Sequence, residues 1–103
     1  MNKKRIITAS IIFCFVVTTL AYAQTVEDYF NSGKAKYNLK DYKGAIEDFN
    51  KAIELNPNYA KAYYNRGIAK ILSGQKDDGC LDLSKAGELG LSEAYEAIKE
   101  YCN

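Results

Sequence analysis

Tyr29-Phe30-Asn31, followed by Gly33 and Ala35, returns 34 residues later as Tyr63-Tyr64-Asn65, followed by Gly67 and Ala69. A pattern recurring at this interval marks a stack of helical pairs, because one pair cannot bury its apolar face without a neighbour piled against it. The chain is therefore expected to be an all-α solenoid, with its function on a surface shared by successive helices.

Around the two copies the punctuation is helical. Tyr29, Ser32, Gly33, Lys36 and Tyr37 share one face of a first helix expected over 26–39, with Thr25 as its cap and Glu27 and Asp28 at the favoured end of its dipole. Asp41 can cap a second helix over 42–55, lined inside by Ala45, Phe49, Ala52 and Ile53 and stopped by Asn56-Pro57-Asn58, since proline lacks the amide a continuing helix needs. A third helix is expected from Tyr59 or Ala60 to Leu72, breaking at Ser73-Gly74. A fourth is expected from about Asp77-Asp78 to Leu89-Gly90, with Leu81, Leu83 and Ala86 inward. Ser92 is placed as the cap of a last helix over 92–102, whose Ala94, Tyr95, Ala97, Ile98 and Tyr101 would close the stack while Glu93, Glu96, Lys99 and Glu100 face water.

Residues 26–59 resemble a tetratricopeptide repeat, with Tyr29, Gly33, Tyr42, Ala45, Phe49, Ala52 and Pro57 at that repeat's landmark positions. Residues 60–93 resemble a second copy through Tyr63, Gly67, Ala69, Leu83 and Ala86. This copy carries Gly79 where a packing alanine is usual and Leu91 where proline is usual. The resemblance implies a fold of two such repeats with a C-terminal capping helix, and a concave groove lined by the first helix of each pair in which a peptide lies. Carried onto this chain, the groove positions are Glu27, Phe30, Asn31, Lys34, Tyr37 and Asn38 in the first copy and Lys61, Tyr64, Asn65, Ile68, Ile71 and Leu72 in the second. Asn31 and Asn65 would grip a peptide backbone through their amides, Phe30 and Tyr64 would anchor it, and Lys34 and Lys61 would favour a mixed apolar and acidic ligand. The bland alternative is that these asparagines are ordinary repeat residues and the lysines solvated surface. The subclass that clamps carboxylate tails needs three repeats and a set of lysines and asparagines of which only Asn65 matches clearly.

The N-terminus reads Met1-Asn2-Lys3-Lys4-Arg5, then an apolar run from Ile6 to Leu20, then Ala21-Tyr22-Ala23. A basic start, an apolar middle and an A-x-A site describe a secretory signal peptide over 1–23, cleaved before a domain spanning 24–103. The rival, an uncleaved membrane anchor, is weakened by Thr8, Ser10, Thr18 and Thr19; a membrane is a partner only if the segment stays attached. Cys14 follows Phe13 inside the apolar run, which does not suit lipid attachment. Without Lys3, Lys4 and Arg5 the 14 basic residues fall to 11 against 13 acidic ones, a formal charge of −2 that gives no electrostatic case for nucleic acid. The expected destination is the periplasm or the exterior.

Cys80 and Cys102 flank Leu91 symmetrically, and Leu91 falls in the turn between the fourth and fifth helices. Antiparallel helices bring residues equidistant from their turn to one height, so a disulfide is permitted and the exported setting favours it. Two unpaired buried thiols remain the alternative, and a redox pair lacks the C-x-x-C spacing.

Catalysis has little to work with. No histidine occurs in the chain, which removes the commonest general base and metal ligand, and no phosphate loop, nucleophile elbow or metal-spaced cluster is present. Glu47-Asp48 and Asp77-Asp78 read as solvent-facing or helix-starting charges. Tyr29, Tyr42, Tyr63 and Tyr95 read as core. The expected role is a protein-interaction module without cofactor or metal, binding a peptide or protein. The alternative is a self-associating assembly subunit, for which a homodimer is the simplest form.

Overall fold

The computed structural model describes residues 25–103; the leader expected over 1–23 lies outside the described residues. The described chain is all-helical: α1 over 25–38, α2 over Tyr42–Leu55, α3 over Ala60–Leu72, α4 over Lys76–Glu88 and α5 over Glu93–Tyr101. Thr25, expected as a cap, is itself helical. Asp41 does cap α2, its carboxylate accepting the Gly44 amide at 3.0 Å. Ser92 precedes α5, but its side chain makes no capping bond.

The turns within and after the pairs share one construction. The amide of Asp41 donates back to the Lys36 carbonyl, that of Gln75 to Lys70, and that of Leu91 to Ala86. In each case the residue just before the donor has positive φ: Lys40 at 63°, Gly74 at 96° and Gly90 at 104°. This left-handed closure satisfies carbonyls that the helix end would otherwise leave bare. Between the pairs the chain stops differently. Asn56 is extended at φ −141°, and its side chain accepts the Asn58 amide at 3.2 Å around Pro57.

The core has two apolar clusters. The first joins Phe30, Ala45, Phe49, Ala52 and Ala62, with Tyr29, Tyr37, Ile53 and Tyr59 packed on it. The second joins Ile68, Leu83 and Ala97, with Tyr64, Ile71, Ile98 and Tyr101 around it. Tyr37 touches both clusters and so ties the two pairs together. Two inward assignments fail: Leu81 is 68 % exposed, and Tyr95 is 52 % exposed with its ring laid over Gly87. The cause is geometric. The face of α4 that meets α3 runs through Gly79, Asp82, Leu83 and Ala86, and Leu81 lies off it.

Each pair is also pinned by a buried acid. Asp48 and Asp82, 34 residues apart, are only 6 % and 7 % exposed, so Asp48 is not the solvent-facing charge the sequence suggested. Ser32 donates to Asp48 at 2.6 Å and Lys36 pairs with it at 3.0 Å. Arg66 holds Asp82 through two bonds of 2.8 and 2.7 Å, Lys70 adds a pair at 3.1 Å, and Arg66 also reaches back to Asn50 on α2 at 2.9 Å. Ser32 and Lys36 correspond to Arg66 and Lys70 at the same repeat interval. A carboxylate this buried needs such partners, because an unpaired one would be strongly destabilising. Burial alone would push the Asp48 carboxyl up, but the Ser32 hydroxyl and the Lys36 ammonium together hold it below its ordinary value.

Candidate functional site

The stacking leaves a cleft of about 360 Å³ between the two pairs and the last helix. Its floor is Tyr37 from the end of α1 with Tyr64, Asn65 and Ile68 from α3. Its far wall is α5, which contributes Glu93, Glu96, Ala97, Glu100 and Tyr101. Tyr37 and Tyr64 reach it because their helices present successive turns to one side of the stack, and Ile68 reaches it from within the second core cluster. Burial raises the Tyr37 phenol above its ordinary value, with Tyr42, Tyr101 and Tyr64 adding to the effect, so the ring stays neutral across the physiological range.

Of the groove residues carried over from the repeat resemblance, Tyr37, Tyr64, Asn65 and Ile68 meet here, while Asn31, Lys34, Asn38 and Lys61 do not line this cleft. Phe30 is not a groove residue. It is 6 % exposed, and its ring packs 4.9 Å from Tyr59 and 5.9 Å from Phe49, because the turn after α2 folds back over α1 and covers it. The Tyr59 hydroxyl fastens that turn by donating to Glu27 at 3.3 Å. The Lys34 ammonium sits 5.6 Å over the Phe30 ring. The charge in the cleft is therefore the reverse of that expected: carboxylates line it, and neither lysine does.

The α5 wall escaped sequence reasoning because a repeat pattern locates helices relative to their own pair and says nothing of how a final, unrepeated helix tilts. One signal was present: Glu93, Glu96 and Glu100 share a face of α5 at spacings of three and four, beside the inward Ala97 and Tyr101. The Asn65 amide and the carboxylates of Glu93 and Glu100 have no side-chain partner among the described residues, while Glu96 makes only an exposed pair with Lys99 at 3.4 Å.

Cys80 and Cys102 come together as a disulfide with Cα atoms 6.0 Å apart, fixing the end of α5 to the start of α4 and so fixing the wall. Among the described residues no group of His, Cys, Asp and Glu side chains could hold a metal ion, and no helix is long and apolar enough to cross a membrane.

A family model described as a TPR repeat matches residues 33–74. The chain is 36 % identical over 67 residues, 65 % of its length, to the STIP1 homolog of Dictyostelium discoideum, of which it covers 12 %. It is 31 % identical over 71 residues, 69 % of its length, to the small glutamine-rich tetratricopeptide repeat-containing protein 2 of Saccharomyces cerevisiae, covering 20 % of it. To the SGT1 homolog of Oryza sativa it is 45 % identical over 78 residues, 74 % of its length and 21 % of that protein. The chain thus spans at most about a fifth of these relatives.

Proposed function

We propose that this chain, a tetratricopeptide-repeat protein, is an exported interaction module that binds a peptide or protein segment in the cleft between its two helical pairs and α5. The observation that carries this reading is the cleft itself: half-buried tyrosine rings and an apolar floor beside the Asn65 amide, which has no side-chain partner among the described residues. Rings of this kind contribute contact area at little entropic cost, and an amide can pair with either group of a peptide backbone. The role is binding, and the chemistry of the residues present calls for no cofactor.

Export is supported by the leader-like sequence of residues 1–23 and by the Cys80 and Cys102 pair, whose Cα separation of 6.0 Å suits a bridge that persists in an oxidising compartment. Intact-mass measurement of the protein recovered from its cells tests this, with a chain beginning at Gln24 and lacking free thiols expected. A chain retaining Met1 and titrating all three thiols of Cys14, Cys80 and Cys102 after denaturation would overturn it.

The binding role is tested by affinity capture from envelope extract, with partners identified by mass spectrometry for the wild type and for Asn65→Ala plus Tyr64→Ala, both checked for native helicity. Loss of specific partners in the variant is expected. Equal recovery would show that another surface binds, and a stable dimer in sedimentation that occludes the cleft would favour the assembly subunit.

A further inference from the structure

The cleft has a polarity that the repeat pattern does not carry. Its floor is aromatic and apolar, its α5 wall is acidic, and no lysine or arginine lines it. The acidic wall is locally unfavourable as it stands. Glu93 and Glu96 are three residues apart and Glu96 and Glu100 four, spacings at which like charges on a helix repel. Glu100 also lies in the last turn of α5, where the helix dipole opposes negative charge. Lys99 relieves this on one side only, from a solvent-exposed position 3.4 Å from Glu96. A cation entering the cleft would meet carboxylates on one side and tyrosine faces on the other, the two surroundings that attract an ammonium or guanidinium group.

From this charge complementarity we infer that the cleft is a receptor for a basic extended segment of a partner protein, a Lys or Arg side chain lying along Tyr64 and Tyr101 with its charge between Glu93, Glu96 and Glu100. The aliphatic stem of such a side chain covers the apolar floor at Ile68 while its head stays at the carboxylates. The Asn65 amide pairs with the segment's backbone and sets its direction. This inference rests on the binding role proposed above and deepens it by giving the ligand its charge.

The test measures fluorescence anisotropy with labelled decapeptides of alternating Lys and Ala, alternating Gln and Ala, and alternating Glu and Ala, at low and at physiological salt. The basic peptide is expected to bind at least tenfold more tightly than the neutral one, and to weaken as salt screens the wall. It should lose roughly tenfold in the triple variant Glu93→Gln, Glu96→Gln, Glu100→Gln, and part of that in Glu100→Gln alone. The three positions are exposed, and circular dichroism verifies that both variants keep their helices. Binding of the neutral or acidic peptide as tight as the basic one, abolished by Asn65→Ala, would overturn the charge assignment and leave the binding role standing. Basic-peptide affinity unchanged in the triple variant would overturn it as well. If none of the peptides binds and the protein sediments as a dimer, both readings fall.

Discussion

In the first helical pair Gly33 receives the edge of the Phe49 ring, and a Cβ built there would stand 2.6 Å from that ring. In the second pair the equivalent glycine, Gly67, meets not a ring but the backbone of Gly79, whose own Cβ would stand 2.5 Å from the Gly67 carbonyl oxygen and 2.6 Å from Ile71. The two pairs solve one packing problem with different materials: a large fully buried aromatic beside Ala45, or a smaller Leu83 beside a glycine that lets two backbones touch. The second arrangement carries less apolar side chain at its centre, and it is the one fastened by the Cys80 and Cys102 bridge and by the Arg66, Asp82 and Lys70 network. The lesson is that a repeat interval fixes where helices meet, while the residue at each meeting point decides how closely.

The sharpest way to break this contrast is to remove the bridge. Cys80→Ser with Cys102→Ser frees a loop spanning 22 residues. It should lower stability by about 3 kcal/mol on the chain-entropy account, read from urea unfolding. Amide exchange should show the loss concentrated in α4 and α5, with α1 and α2 retaining protection, and a uniform loss would mean that the pairs do not differ as argued.

Next in size is the backbone approach in the second pair. Gly79→Ala should cost about 2 kcal/mol despite alanine's better helix propensity, because the atom its Cβ meets is a carbonyl oxygen that cannot rotate away. Gly33→Ala should cost less, about 1 kcal/mol, since the Phe49 ring can tilt. Equal costs would erase the distinction between ring and backbone packing.

The buried acids sharpen it further. Asp82→Asn leaves Arg66 and Lys70 facing a neutral amide and should cost about 2 kcal/mol. Asp48→Asn should cost less, because Ser32 can re-pair with the amide and Lys36 is partly solvated. The pH dependence of the first site has a definite sign. The folded Asp48 carboxyl is held below its ordinary value, so the unfolded chain binds the proton more readily and stability falls as the solution is acidified. The contribution of Asp48 is complete above the ordinary carboxylate range near pH 4 and drains away as pH drops through the depressed folded value. Wild type and Asp48→Asn, compared by thermal unfolding between neutral pH and pH 3, should converge in acid. Divergence there would mean that the carboxylate is not held by Ser32 and Lys36.

Much of this architecture was legible because it is written in repeats and punctuation. Tyr29 with Tyr63, Gly33 with Gly67, and the break at Asn56-Pro57-Asn58 give the pairs, and the symmetric placing of Cys80 and Cys102 about Leu91 gives the fold-back of α5. Less of the cleft was legible. Phe30 looked like a surface anchor because its helix position is outward in the repeat, but at the start of the stack the turn carrying Tyr59 supplies a local cover that no periodicity encodes. Asp48 and Asp82 recur at the repeat interval and could have been recognised as paired internal acids. For Asp48 charge alone suggested solvent, and only the partners at Ser32, Lys36, Arg66 and Lys70 explain the burial of the two acids. Glu93, Glu96 and Glu100 are exposed, as a solvent-facing assignment requires, but they also line the cleft, which reading α5 only as a lid does not anticipate.

The smallest expected effect lies in the turns. Lys40 and Gly74 occupy equivalent positions with φ of 63° and 96°, and only glycine enters that region without a Cβ penalty. Lys40→Gly should therefore relieve the strain of the α1–α2 turn. The gain is partly cancelled because glycine also frees the unfolded chain, leaving a net stabilisation of about 0.5 kcal/mol. Gly74→Ala should lose about 1 kcal/mol although open space surrounds the position, since the penalty comes from backbone angle and not from contact. The two substitutions act in opposite directions at matched sites, so a single urea series on both variants separates conformational strain from packing. If Lys40→Gly destabilises instead, the Lys40 side chain contributes something to the first turn that the Schellman hydrogen bonds from Asp41 and Lys40 do not account for.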